Sequence, residues 1–359
     1  MSLQKEVNKI PKNILVAPLN WGLGHATRCI PIIKALQEGD YTPIIASDGI
    51  ALAMLRKEFP DVQTLELPSY QVEYSKKGSD FKWKMLLNTP KMLKAIWSEK
   101  KMVASWINKY KIDGIISDNR LGVFNENIPS VYITHQLNVM SGSTTWLTSK
   151  LHQKSIKKFT ECWVPDVAGE PNLAGELSHS KELAFTPKYL GSLSRMHKKD
   201  AAKQYDLMIV LSGPDPQRGM LESILKTELK HYEGKVVFIK GIVEEEQKKE
   251  KIESITYFNF MTSLQLQQTF NESNLVLARS GFTTIMDLAK LGKKAFFIPT
   301  PGQYEQMYLA RKLKKDGIAP YSEQDDFKIE DLIETKQYSG FADFENIPNW
   351  EKLFEVFEI

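Results

Sequence analysis

Short apolar runs alternate along the whole chain with stretches whose apolar residues recur at helical spacing. Several runs are continuous rather than alternating, which is typical of strands that helices cover on both faces. The predicted strands are 13–18, 43–47, 63–67, 114–117, 130–134 and 161–164, followed by 206–211, 235–239, 256–259, 275–278 and 295–298. The pattern predicts an α/β fold with parallel sheets.

The strands form two series, separated by the polar stretch 188–203. A length of 359 residues suits about two domains. We predict two Rossmann-like domains, at 1–200 and 201–345, with a C-terminal helix at about 346–359 that packs back on the first. Ligands of such sheets bind at the carboxyl ends of the strands, so the cleft between the domains is the expected site.

Composition excludes several classes of protein. The 47 Lys and Arg against 44 Asp and Glu give a net charge of +3, too weak to indicate nucleic acid as the main partner. The two cysteines, Cys29 and Cys162, form neither a disulfide framework nor a CxxC metal site. No apolar run approaches the ~18 residues of a membrane span, and residues 1–12 lack a signal-peptide core. We therefore expect a cytoplasmic protein.

A glycine-rich loop follows the first predicted strand and opens a helix. Gly22 and Gly24 allow a sharp turn and a close approach of the backbone to a ligand, and a helix N-terminus favours anions. His25 would stand at the edge of the sheet with a pKa suited to proton transfer. The alternative is an ordinary turn in which His25 only caps the helix.

A second loop follows the first strand of the second series. Ser212 and Gly213, with Arg218 shortly after, resemble a cradle for a diphosphate, because arginine binds phosphate oxygens bidentately. Taken alone, the segment is equally an ordinary proline-rich turn.

Two further turns, at 278–284 and 299–306, each end a strand and open a helix. Adjacent parallel strands would bring both helix N-termini together around a pyrophosphate. Asp287 or Glu305 would then accept hydrogen bonds from ribose or sugar hydroxyls. The alternative is that Ser280, Thr283 and Glu305 are simply helix caps. The candidate residues of these turns are Arg279, Ser280, Gly281, Thr283, Thr284, Asp287, Glu305 and Gln306.

Common catalytic motifs are absent from the sequence. It contains no Asp-x-Asp, P-loop, GxSxG or HExxH pattern and no Cys/His cluster. We therefore expect no bound metal and no cofactor. A departing diphosphate would be stabilised by helix termini and arginines.

Together, these loops resemble the GT-B glycosyltransferases, in particular the branch containing the N-acetylglucosaminyltransferase that makes lipid II. Gly22, Gly24 and His25 match a glycine-rich loop of that branch's acceptor domain. Arg195 ends a Gly-Ser-Leu-Ser-Arg segment that is similar to the family's Gly-x-Pro-x-Arg element but lacks its proline. The similarity implies that Arg195 contacts a phosphate.

The resemblance also assigns the donor side. Arg279-Ser280-Gly281 with Thr284 and Asp287 is similar to the family's nucleotide-holding segment, with aspartate in place of glutamate. Glu305-Gln306 matches a Gln-Gln pair that contacts the donor sugar, and Met261 lies in a segment similar to the one beside the base.

On the acceptor side, His135 and Gln136 are similar to a His-Glu-Gln-Asn element near the acceptor. Segment 118–122, with Asn119 and Arg120, departs from the family's glycine-rich equivalent, which implies a different acceptor.

The resemblance implies an inverting, metal-independent transfer of a sugar from a nucleotide-diphosphate donor, with UDP favoured, to an acceptor hydroxyl. His25 or Asp118 would take the proton, and Arg218 and Arg279 would stabilise the diphosphate. The main alternative is a nucleotide-sugar hydrolase of the same fold, in which His25 activates water. A nucleotide-sugar epimerase and a non-catalytic sensor remain further alternatives.

Two charged stretches look like insertions. Segment 76–111 holds ten lysines interleaved with Trp, Met and Leu. It would either dock on an anionic membrane that carries a lipid-linked acceptor, placing the protein at the inner face of the membrane, or form a packed helix with a solvated lysine face. Segment 244–253 alternates Glu and Lys and is predicted to be a solvated loop or helix face.

Overall fold

The computed structural model describes residues 11–70, 81–140, 142–180, 182–342 and 348–358, without the side chains of 81–89 and 143. In the first part of the chain it contains strands β1 Asn13–Pro18, β2 Thr42–Ser47, β3 Thr64–Glu66, β4 Ile112–Asp118, β5 Ser130–Ile133, β6 Glu161–Val164 and β7 Lys188–Tyr189. The helices of this part are α1 Leu23–Glu38, α2 Gly49–Glu58, α3 Phe81–Tyr110 and α4 Thr145–Ile156.

The second part contains strands β8 Tyr205–Val210, β9 Val236–Ile239, β10 Lys249–Ile252, β11 Ile255–Phe258, β12 Ser273–Ala278 and β13 Lys294–Phe297. Its helices are α5 Gln217–Glu228, α6 Ser263–Asn271, α7 Phe282–Leu291 and α8 Tyr304–Lys315, and α9 Trp350–Phe354 follows near the end of the chain.

Each series of strands forms one sheet. The first has the order β3-β2-β1-β4-β5-β6-β7 and is parallel throughout. The second has the order β10-β11-β9-β8-β12-β13 and is parallel except at β10. Ile14, Leu15 and Val16 of β1 are successive residues with no exposed surface, because helices cover both faces of the sheet. The predicted fold class is confirmed.

The C-terminal helix α9 packs on the first sheet. The Phe354 ring lies edge-on to Tyr41, with ring centroids 5.4 Å apart, and 6.4 Å from Trp163 of β6. The next turn buries Phe357, whose ring centroid lies 6.5 Å from that of Trp163. The end of the chain therefore contributes to the core of the first domain.

The two stretches predicted to be insertions contain regular elements of the two α/β layers, the helix α3 and the strand β10. α3 connects β3 to β4 as the crossover that parallel strands require, and it buries Val103 and Trp106 in the first core. Trp83 and Met85 lie outside the described side chains. Residues 249–252 form the exposed antiparallel edge strand β10 rather than a loop or helix face, and charged residues suit an unpaired edge.

Candidate active site

A cleft of about 870 Å³ lies between the two domains. It is lined from the first domain by the N-terminal turn of α1, by α2 and by the loops after β4 and β5. The second domain contributes the loops after β8 and β9 and the N-terminal turns of α6, α7 and α8. The predicted residues that line it are Gly22, Gly24, His25, Asn119, His135, Gln136, Arg195, Ser212, Gly213, Met261, Gly281, Thr283, Thr284, Asp287, Glu305 and Gln306.

The N-termini of α1 and α7 meet across the cleft. Gly22 caps α1 with a φ of 81°, in the left-handed region that favours glycine, and no side chain caps either helix. Thr283 Oγ1 donates a hydrogen bond to the Gly24 carbonyl at 3.2 Å. A Cβ on Gly24 would lie 2.9 Å from that hydroxyl, so the glycine allows the two helices to approach.

His25 stands at the start of α1 with a neutral imidazole. Its Nδ1 lies 3.0 Å from Asp118 Oδ1 and 2.7 Å from the Arg28 guanidinium. Burial, and then the charge of Arg28, lower the pKa of His25, whereas Asp118 raises it. A guanidinium only donates, so the contact with Arg28 uses a lone pair on Nδ1, whereas the contact with Asp118 uses a hydrogen on Nδ1. In the second tautomer Nε2 keeps a lone pair that can accept a proton.

Asp118 does not line the cleft, which contradicts its prediction as a base. Its carboxylate has no exposed surface, and it accepts hydrogen bonds from Arg28 Nε at 2.5 Å and from a second nitrogen of the same guanidinium. Burial alone would raise the pKa of Asp118, but the Arg28 charge holds it well below its usual range. The carboxylate therefore orients His25 instead of taking the proton.

Arg120 does not reach the cleft either, contrary to its predicted acceptor-side role. Its buried guanidinium pairs with Asp48 and, at 2.7 Å, with Glu99, and its Nε donates to the Pro18 carbonyl at 2.9 Å. Glu99 also accepts a hydrogen bond from Tyr70 at 2.9 Å. The arginine neutralises two buried carboxylates, so its role is structural.

Three residues predicted on the donor side are outside the cleft lining. Arg279 is buried and donates to the carbonyls of Ile298 and Pro299 at 3.1 and 3.0 Å, and to Gln217 and Gln324. Arg218 pairs with Asp215 and donates to the Lys240 carbonyl at 3.2 Å. Ser280 donates to the Gln306 carbonyl at 2.8 Å. These side chains form hydrogen bonds between neighbouring turns and are not available to a diphosphate.

Arg195 does line the cleft, beside Asp287. Its buried Nε has no hydrogen-bond partner in the described part of the chain. Burial lowers the pKa of Arg195, although the charges of Asp287 and Glu58 oppose the shift. Asp287 accepts a 2.6 Å hydrogen bond from Ser194, and burial raises the pKa of Asp287 to about 6. Arg195 therefore holds a buried, unpartnered N–H group in the wall of the cleft.

Glu305 links the two domains. Its carboxylate lies 2.7 Å from His135 Nε2 and accepts a hydrogen bond from Gln136. The His135 ring stacks on Phe282 with centroids 4.3 Å apart, and its Nδ1 lies 3.2 Å from the Arg28 guanidinium. A continuous polar chain thus connects the His25 region with the start of α8.

Lys57 and Glu58 of α2 are cleft residues that no sequence motif predicted. Lys57 donates to the Glu244 carbonyl at 2.7 Å and lies over the Phe260 ring, 5.0 Å from its centroid. Glu58 accepts a 2.7 Å hydrogen bond from Ser263. Both residues line the cleft. A Lys-Glu pair at the end of an amphipathic helix carries no local signal that distinguishes it from a solvated surface.

Within the described ranges, no group of three or more His, Cys, Asp or Glu side chains could hold a metal ion. The same residues include no helix that is long and apolar enough to cross a membrane.

Residues 209–338 match the glycosyltransferase family 28 C-terminal domain. A protein of Buchnera aphidicola subsp. Schizaphis graminum (strain Sg), named UDP-N-acetylglucosamine--N-acetylmuramyl-(pentapeptide) pyrophosphoryl-undecaprenol N-acetylglucosamine transferase, is 25% identical over 288 residues. The match covers 76% of this chain and 73% of the relative. Among solved structures, MurG of Acinetobacter baumannii has a TM-score of 0.59 at 15% identity, covering 97% of this chain and 99% of that one. The spinosyn rhamnosyltransferase SpnG has a TM-score of 0.65 at 13% identity, with the same coverage.

Proposed function

Because the chain is a GT-B glycosyltransferase that resembles the MurG branch and carries a family 28 domain, we propose that it transfers a hexosyl group from a UDP-sugar to an acceptor hydroxyl. The acceptor lies against the first domain and the donor against the second. No metal or cofactor takes part. The observation that carries the proposal is the position of a neutral His25 opposite the uncapped N-terminus of α7.

His25 acts as the general base. The acceptor oxygen attacks the anomeric carbon of the donor while its proton passes to Nε2 of His25. The bond between that carbon and the diphosphate oxygen breaks, and its electron pair leaves with the diphosphate. Attack from the side opposite the leaving group inverts the anomeric centre. Asp118 keeps the imidazole oriented through the 3.0 Å contact with Nδ1.

The second domain stabilises the leaving diphosphate. The first-turn N–H groups of α7 have no carbonyl partners within the helix and carry a partial positive charge. Arg195, from the segment that joins the two domains, adds the unpartnered Nε described above. Asp287, with a pKa of about 6, is mostly ionised at pH 7 and can accept a hydrogen bond from a ribose hydroxyl. The uracil base of the donor lies near Phe260 and Met261.

A membrane-associated acceptor is compatible with the outer surface of the first domain. Leu93 and Trp97 of α3 are exposed, as are Trp146, Leu147 and Leu151 of α4. The lysines of 76–111 would add electrostatic attraction to anionic lipid. Sedimentation with anionic vesicles at low salt should retain the protein in the pellet, and high salt should release it. Absence from the pellet at low salt would exclude this contact.

The transfer itself is tested by incubating the full chain with labelled UDP-sugars in EDTA, with and without a panel of acceptor alcohols. We expect UDP release that depends on the acceptor and a labelled glycoside as product. Release of free sugar at the same rate without acceptor would instead support the nucleotide-sugar hydrolase. Failure of any UDP-sugar to react, with UDP itself not binding, would overturn both.

A further inference from the structure

The first-domain side of the cleft is an apolar and aromatic pocket. We use the name aromatic pocket for the surface formed by Trp21, Tyr70, Met92, Ile96, Leu121 and Tyr132. These residues come from the turn before α1, the segment after β3, α3, the loop after β4, and β5. His25 lines the same cleft.

The polar groups of this wall are bonded to one another. The Tyr70 hydroxyl donates to Glu99 at 2.9 Å, and the Tyr132 hydroxyl donates to Asn119 Oδ1 at 3.2 Å. Arg120 neutralises Glu99 at 2.7 Å. Both tyrosines are buried, with 6% and 1% of their surface exposed, so the other, partly exposed members of the aromatic pocket form most of the surface that faces the cleft. An apolar molecule can cover that surface without leaving these hydroxyls unpaired.

Two buried nitrogen atoms in this region have no hydrogen-bond partner in the described part of the chain: Trp21 Nε1 and His152 Nε2. His152 lies in α4, lines the cleft, and packs edge-on against Tyr132 with centroids 5.7 Å apart. Burial lowers the pKa of His152 to about 4, so its ring is neutral at pH 7. Buried polar atoms are rarely left unpaired, and these two have room for a polar partner that the described residues do not supply.

We propose that the aromatic pocket binds the body of the acceptor, and that this acceptor is an uncharged alcohol or phenol whose apolar body carries an oxygen that accepts a hydrogen bond from Trp21 Nε1. The proposal rests on the proposed function, because it assigns the molecule whose hydroxyl His25 deprotonates. A sugar or a diphosphate is disfavoured in this pocket, because the apolar wall cannot replace the water that many hydroxyls or a charged phosphate would lose.

The occupant is tested by isothermal titration of the full chain, saturated with UDP, with four probes. Geraniol and 4-methylumbelliferone represent an isoprenoid and an aromatic body, and geranyl diphosphate and glucose represent a charged and a polyhydroxyl competitor. We expect one or both uncharged apolar probes to bind, and the stronger of the two identifies the type of body. Binding of geranyl diphosphate or glucose alone, or of no probe, would overturn the proposal.

The Trp21→Phe variant tests the N–H group while keeping an aromatic ring. A single uncharged hydrogen bond contributes enough to weaken binding of the apolar probe about twofold to tenfold. Trp97→Phe, on the exposed part of α3, is the matched control and should bind like the unmodified protein. Equal affinities in the two variants would contradict the role of Trp21.

UDP affinity separates the two levels of failure. If UDP binds to the unmodified protein and to Trp21→Phe alike while no apolar probe binds, the assignment of the acceptor fails and the donor site stands. If UDP does not bind at all, the proposed function fails first.

Discussion

The arginines on the two sides of the cleft have different partners. In the first domain, Arg28 is paired with Asp118, and Arg120 is paired with Asp48 and Glu99. In the segment that joins the domains, Arg195 lies beside Asp287 of α7 and has a buried Nε without a partner in the described structure. Carboxylates therefore neutralise the two buried arginines of the first domain, whereas Arg195, which packs against the second domain, keeps an unpartnered N–H group in the wall of the cleft.

The helix termini add to this difference. α7 begins at the cleft with an N-cap that makes no side-chain hydrogen bond, so its positive end stays open to an anion. The N-terminus of α1 is equally uncapped, but Arg28 in its next turn pairs with Asp118 of β4 beside His25. A diphosphate is thus expected on the second domain, while the first domain supplies a base and an apolar surface.

The largest effect is expected from His25→Asn, which separates the chemistry of the first domain from the binding of the second. Loss of a general base lowers transfer about 10²-fold to 10⁴-fold. UDP affinity should stay unchanged, because the diphosphate is held elsewhere. Initial rates and UDP titrations measure the two quantities, and His231→Asn on the surface is the control. Full activity of His25→Asn would remove the base assignment.

A large effect on folding, rather than on binding, is expected from Arg120→Met. The substitution leaves Asp48 and Glu99 buried without their cation, which costs about 3–5 kcal/mol of unfolding free energy. Urea unfolding measures the loss, and Arg311→Met on the exposed face of α8 is the matched control. If Arg120→Met unfolds like the control but no longer catalyses sugar transfer, Arg120 contacts substrate.

The pH dependence of transfer reports the environment of His25. Burial and the Arg28 charge lower its pKa, so the neutral form persists to lower pH than for a free histidine. At saturating donor, kcat should be constant around neutral pH and fall only as the pH drops through a value below 6.5. A midpoint above pH 6.5 would mean that the Asp118 carboxylate has a larger effect on the pKa of His25 than burial has.

The smallest effect is expected from Thr283→Val, which removes the hydrogen bond to the Gly24 carbonyl between the domains. One such bond contributes about 0.5–1.5 kcal/mol, so the KM for the donor should rise a few-fold through a less closed cleft. Thr227→Val on α5, which loses an exposed bond within its own helix, should leave KM unchanged. An identical KM in the two variants would mean that this contact does not hold the cleft closed.

Local patterns in the sequence predict the fold well and the site in part. Strands β1 and β6 lie at the predicted residues, and the glycine turn before α1 places His25 in the cleft. Those features depend on apolar runs and backbone geometry that neighbouring residues determine.

The roles of the arginines could not be predicted in the same way, because their partners come from distant parts of the chain. Arg120 pairs with a carboxylate 72 residues away, and Arg279 bonds to carbonyl groups that carry no sequence signal. The aromatic pocket was missed for a similar reason, since its rings come from several separate elements. Side-chain type shows what a residue can bind, but only the folded chain shows which partner it has.

The most direct test of the proposed diphosphate site compares the affinities of UDP and uridine in EDTA. The proteins compared are the unmodified chain, Arg195→Met and Arg311→Met. We predict that UDP binds more tightly than uridine to the unmodified protein and to Arg311→Met. In Arg195→Met the advantage of UDP should shrink about tenfold to hundredfold, the effect of one hydrogen bond to a charged group. An unchanged ratio of UDP to uridine affinity in Arg195→Met would contradict a diphosphate site built from Arg195 and the α7 N-terminus. So would equal affinities of UDP and uridine for the unmodified protein in EDTA.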